Sequence, residues 1–85
     1  MKVLQSRHFL KVVKKLHASQ KTDLNKAVRT LIQAPRIGER KSGDLGGIRV
    51  HKFKMTNQLH LLAYMYEDEA LILTLLALGS HENFL

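Results

Sequence analysis

The run Ala70-Leu71-Ile72-Leu73-Thr74-Leu75-Leu76-Ala77-Leu78 constrains the fold more than any other segment of the chain. It is nine residues long and apolar at both alternating sets of positions. That is too short to cross a bilayer as a helix, which takes about 20 residues. An extended segment apolar on both faces belongs inside a sheet, covered on each side. It therefore reads as a central strand, closed by Gly79, and the rest of the chain must supply the neighbours and the cover.

The neighbours come just before it. Ile48 to Met55 mixes Ile48, Val50 and Phe53 with Arg49, His51, Lys52 and Lys54, and Leu59 to Tyr66 is strongly apolar. Thr56-Asn57-Gln58 and Glu67-Asp68-Glu69 read as tight turns, so the three runs form an antiparallel meander. The cover comes from the N-terminal half. Phe9, Val12, Val13 and Leu16 repeat at the i, i+3, i+4, i+7 spacing of one helical face. With Ser6 as a cap, this predicts a helix over Arg7 to His17. Leu24, Ala27, Val28 and Leu31 repeat the pattern. Thr22 as cap and Asp23 near the positive end of the dipole predict a second helix, which Pro35 stops. So short a connection makes the helices an antiparallel pair. Met1 to Gln5 suits an edge strand, and Ala34 to Gly47 reads as a basic, Gly-rich connector.

The expected order is β-α-α-β-β-β: an α+β fold with two antiparallel helices packed on one face of a small, mainly antiparallel sheet. Eighty-five residues suit a single domain over residues 1–85. A chain of this size buries roughly 60–65% of its unfolded surface, enough for one modest core. No cysteine is present, which excludes disulfides, thiolate metal sites and a cysteine nucleophile. Gln5, Ser6, Arg7 and His8 interrupt any leader-like apolar stretch, so the expected location is the cytoplasm, with no membrane partner.

The charge pattern points to function. All 14 Lys and Arg lie between Lys2 and Lys54, opposed there by Asp23, Glu39 and Asp44, a net of +11. From Met55 onward there are four acids and no Lys or Arg. A basic surface on so small a protein suggests a polyanionic partner such as nucleic acid or an acidic protein. Glu67, Asp68 and Glu69 crowd one turn, where solvated charge is the ordinary explanation. His8 and His17 are nine apart and share no metal-ligand spacing, and no metal is expected. His51, His60 and His81 come from three strand regions. Together with Arg49, Lys52 and Lys54, and with Arg40 and Lys41 from the connector, they are the candidates that adjacent strands can gather on one surface. Cations for phosphate oxygens plus a histidine titrating near neutrality are what acid-base cleavage of RNA requires, without metal or cofactor. The plainer alternative is that the lysines face solvent and His81 merely ends a strand.

These residues resemble a family. The element order, the small size, the basic first half, Arg49-Val50-His51-Lys52-Phe53-Lys54 and the closing Leu78-Gly79-Ser80-His81-Glu82-Asn83-Phe84 are similar to the RelE/ParE superfamily of bacterial type II toxins. The Gly79-Ser80-His81 ending resembles the Gly-x-His of YafQ-like and HigB-like members. The resemblance implies an mRNA interferase acting at the ribosome. His81 would be its catalytic histidine, with Arg49 or His51 assisting proton transfer. Lys52 and Lys54 match the family's strand lysines and would contact phosphate; His60, Arg40 and Lys41 are further phosphate-binding candidates from their charge and place in the chain. It also implies a cognate acidic antitoxin. RelE itself carries an arginine where this chain reads Leu59-His60-Leu61-Leu62, and His60 is the only candidate substitute there. ParE-type members share the fold but inhibit DNA gyrase, which is the alternative function, ahead of a non-catalytic basic binding module.

Overall fold

The computed structural model describes residues 1–41 and 47–81. Elements run β1 (Lys2–Gln5), α1 (Arg7–Lys14), α2 (Ala18–Gln33), β2 (Glu39–Arg40), β3 (Ile48–Met55), β4 (Gln58–Glu67) and β5 (Ile72–Ser80). They form one mixed five-stranded sheet of order β1-β5-β4-β3-β2. β1 runs parallel to β5 and every other pairing is antiparallel. This is the expected α+β arrangement with one addition. The connector contributes β2, whose Glu39 and Arg40 pair with Val50 and Arg49. The rest of that connector, 42–46, lies outside the described residues.

Ser6 starts α1 as its composition suggests, accepting a hydrogen bond from the Phe9 N–H at 3.0 Å. Its hydroxyl also donates to the Leu76 carbonyl at 2.7 Å, fixing the helix entry to β5. α1 ends at Lys14, three residues earlier than expected. The N–H groups of Lys15 and Leu16 turn back to the Val12 and Val13 carbonyls at 3.1 Å, tightening the last turn. α2 begins at Ala18 rather than at Thr22. The Gln20 side chain accepts from the His17 N–H at 2.8 Å and caps the start. Thr22 bonds back to the Ala18 carbonyl inside the helix. Asp23 reaches across to accept from the Thr56 N–H at 2.8 Å, tying α2 to the β3–β4 turn. Thr56 and Asn57 both hold positive φ (48° and 68°), as a two-residue hairpin turn requires.

Phe9, Leu24 and Leu31 from the helices meet Met55, Leu62, Tyr64, Leu73, Leu75 and Leu78 in the main core. The Ala70 run behaves differently from expectation. β5 sits between β1 and β4, and β4 is the middle strand. Ala63 pairs with Ala77 but Tyr64 with Leu75, so Leu76 is an extra residue in a bulge. The bulge shifts the alternation by one. Leu73, Leu75 and Leu78 all turn toward the helices although their numbers change parity. Leu76 and Ala77 join Val50, Leu61 and Ala63 in a smaller cluster on the opposite face. The two-faced apolar run thus reflects a phase slip as well as two clusters. The described helices both contribute to the core on one face, leaving the other open.

Candidate functional site

β3 distributes the basic candidates between the two faces. Phe53 and Met55 belong to the helix-side core, whereas Ile48 and Val50 belong to the opposite cluster. With the period-2 alternation of a strand, Arg49 and His51 face the helix side and Lys52 and Lys54 face the open side. The expected single surface carrying all four is therefore divided in two.

The open face has a regular grid. Lys54 stands opposite Leu59, and Lys52 opposite Leu61. Leu61 in turn stands opposite Gly79. The His81 N–H donates to the Leu59 carbonyl at 3.0 Å, carrying the ladder one step past β5. Two cross-strand rows result, Lys54–Leu59–His81 and Lys52–Leu61–Gly79. Paired Cα atoms are roughly 5 Å apart, so Lys54 and His81 stand about 10 Å apart across Leu59. A lysine side chain and an imidazole can both reach a group lying over that leucine. All three polar residues are exposed. Gly79 presents no side chain, which leaves the floor beside Leu61 low. Lys41, whose N–H donates to the Ile48 carbonyl, belongs to the same face farther along the sheet.

The other candidates lie on the helix side. His51 stacks on Phe53 with ring centroids 6.0 Å apart, and partial burial lowers its pKa below the ordinary 6.5, favouring the neutral ring. His60 is 8% exposed and stands opposite Phe53 in register. Its Nδ1 lies 3.0 Å from the Gln58 carbonyl, so Nδ1 carries the proton and donates. His60 thus belongs to the helix side, away from the face that carries Lys52, Lys54 and His81. Arg40, paired with Arg49, shares the helix-side orientation. Arg49 is committed to the backbone, its Nη1 donating to the Gly38 carbonyl at 2.9 Å and the Arg36 carbonyl at 3.1 Å.

Arg49 is half of a clamp that sequence reasoning missed. Tyr64, fully buried, donates its Oη to the Pro35 carbonyl at 2.7 Å and accepts the Gly38 N–H at 2.9 Å. Burial raises the Tyr64 phenol above 10.0. A Cβ on Gly38 would come within 2.6 Å of that oxygen, so this close approach needs glycine. Arg36 adds an exposed ion pair with Asp68 and lies 5.9 Å over the Tyr66 ring. The clamp fixes residues 35–38 and so places β2. Leu59, Leu61 and Gly79 were likewise not anticipated as the floor of the open face, although the two-residue Thr56-Asn57 turn implies their register. Among the described residues, no group of three or more His, Cys, Asp or Glu is placed to hold a metal ion, and no helix is long and apolar enough to cross a membrane.

Two helices on one face of a mixed five-stranded sheet, with a cationic open face, define a RelE-like α+β fold. A chain of the intact E. coli RelBE toxin-antitoxin complex shares it with a TM-score of 0.76 at 22% identity, over 96% of this chain and 98% of that one. Isolated E. coli RelE gives 0.73 at 22% identity, over 93% and 82% of the two chains. No curated protein matches the chain in sequence. The family model of the ParE-like toxin of type II bacterial toxin-antitoxin systems matches residues 3–85, and the chain belongs to that family.

Proposed function

We propose that this toxin is an mRNA interferase, a metal-independent endoribonuclease that acts on translated mRNA in the cytoplasm, held in check by an acidic antitoxin. The observation that carries this reading is the row Lys54–Leu59–His81 with Lys52 beside it. In such a site the RNA 2′-oxygen bonds to the adjacent phosphorus and the bond to the 5′-oxygen breaks. The products are a 2′,3′-cyclic phosphate and a free 5′-hydroxyl. His81 is the open-face imidazole, able both to accept and to donate a proton, and it serves as the proton-transfer residue. Lys54 and Lys52 stabilise the charge that builds on the phosphate oxygens. The likeness to RelE supports the reading at the level of fold. Arg49, His51, His60 and Arg40 have no part in this chemistry, because they lie on the other face or are held by backbone groups. Lys41 can contact phosphate farther along the strand.

The test is primer extension on a reporter mRNA in a translation reaction. New 3′ ends are expected with the wild type, and His81→Ala lowers their rate on the order of 10²–10⁴-fold. Intact mRNA, or cleavage unchanged by His81→Ala, overturns the reading. One observation favours a second reading, inhibition of DNA gyrase: Leu59 and Leu61 hold the central open-face positions where a further cation would strengthen a phosphate site. A supercoiling assay inhibited equally by wild type and His81→Ala, with mRNA intact, selects it.

A further inference from the structure

Lys54 serves two places. It stands on the open face in the row with Leu59 and His81, and its side chain also borders a cleft on the helix side. β2 pairs with Arg49 and Val50, and among the described residues no strand flanks β3 at Lys54. A bound chain can therefore pass round the edge there, from one face to the other.

The cleft opens between α2 and β3, holds about 190 Å³, and is lined by Ala27 and the rings of His51 and Phe53. Both rings are half-buried, so part of each is left for a guest. They lie within 8° of parallel with centroids 6.0 Å apart, and a flat guest aligned with one is aligned with both. Lys26 and Lys54 add two cations to the lining, and neither has an ion pair among the described residues. Asp23 opposes them. Its Oδ2 accepts the Thr56 N–H at 2.8 Å, and its Oδ1 has no hydrogen bond among the described residues. A cavity of about 150 Å³ holds benzene, whereas drug-sized ligands fill roughly 300–1,000 Å³. The room is therefore for one ring system. Aromatic rings beside cations are what hold unpaired bases: the rings take the base and the ammonium groups take the phosphates. Solubility alone accounts for the lysines and leaves the parallel rings beside them unused.

We propose that the α2–β3 cleft is a subsite for one unpaired base of an RNA strand that crosses the β3 edge at Lys54, and that it selects a base carrying an exocyclic amine. The identity of that strand rests on the ribonuclease reading above. The base stacks against Phe53 and His51. Lys54 holds the phosphate at the edge, and Lys26 holds the next one. Asp23 Oδ1 accepts from the amine of cytosine. Uracil carries a carbonyl at that position, and the carboxylate repels it.

The experiment is an NMR titration of the full chain with 2′-O-methyl hexacytidylate and hexauridylate, which lack the free 2′-hydroxyl that cleavage needs. Hexacytidylate shifts the Ala27 and Thr30 methyl signals and the His51 and Phe53 ring signals, and it binds about three- to tenfold more tightly than hexauridylate. Asp23→Asn, which keeps an acceptor for the Thr56 N–H, erases that preference. Phe53→Leu weakens hexacytidylate binding about tenfold. Lys26→Gln, at an exposed position, weakens both strands equally and lowers the slope of log K against log salt by roughly 0.7. Shifts confined to the open face, or equal binding of the two strands, overturn the proposal. Cytidine 3′-monophosphate binding the cleft as tightly as the hexamer overturns it in favour of a free nucleotide. Primer extension separates the two readings: mRNA cleavage without cleft shifts sinks the subsite alone, and cleft shifts with intact mRNA sink the ribonuclease alone.

Discussion

Replacing Tyr64 by Phe removes one oxygen from the middle of the clamp and leaves the ring in place. That oxygen makes two buried hydrogen bonds, to the Pro35 carbonyl at 2.7 Å and from the Gly38 N–H at 2.9 Å. Each is worth roughly 1 kcal/mol net, and a stranded buried N–H costs about 1–3 kcal/mol. The expected loss is ~2–3 kcal/mol, a large share of the roughly 4–13 kcal/mol available to a chain of this size. In urea unfolding followed by circular dichroism, the midpoint should fall with the slope unchanged, and Tm should drop by about 10–20 °C. The phenol adds a pH signature. Burial holds its folded pKa above 10.0, so the unfolded chain releases this proton first as pH rises. Stability from the neutral phenol is complete below pH 10.0 and fades as pH climbs through the folded value. The gap between wild type and Tyr64→Phe should therefore narrow in alkali. A loss under ~0.5 kcal/mol at neutral pH, or a gap that stays constant into alkali, would refute the clamp as described.

Further predictions follow the same contacts. Gly38→Ala should destabilise by about 1–3 kcal/mol through its clash with Tyr64, and combining it with Tyr64→Phe should cost less than the sum in a double-mutant denaturation cycle. Ser6→Ala removes both the α1 cap and the bond to Leu76, so urea unfolding should show a loss of about 1–2 kcal/mol. His51 has a lowered folded pKa, so its contribution is present above pH 6.5 and is lost as pH falls through the folded value. His51→Phe should flatten that acid limb of a stability–pH profile.

The element types were legible in the chain because apolar spacing is set by burial, and burial decides which residues pair with the helices. Ser6 was legible because a hydroxyl before an amphipathic stripe has one evident use. The start of α2 was not: His17 lacks a recognised cap side chain and Gln20 supplies the bond, while Thr22 looks like a cap but bonds inside the helix. β2 was hidden because two residues carry no periodicity, and their pairing depends on Tyr64 and Arg49, distant in sequence. The candidate site was half legible. Lys52, Lys54 and His81 could be named from residue type, but which groups share a face depends on register. Register separates Lys54 from His51 and joins it to His81 through Leu59. The slip at Leu76 was invisible, because an all-apolar strand looks the same in either phase.

Among the described strands only β1 and β5 pair in parallel, and this has a consequence for the order in which the fold closes. Lys2–Gln5 bond to Ile72–Leu75, and Ser6 is tied to Leu76 across 70 positions of sequence. The first strand made must wait for the last one. Pairings so distant carry a high loop-closure cost and form late. The helices have little sheet to cover until β5 arrives, and His81 takes its place opposite Leu59 in the same step. Until β5 pairs, the helix-side core lacks Leu73, Leu75 and Leu78, and the row Lys54–Leu59–His81 is not assembled.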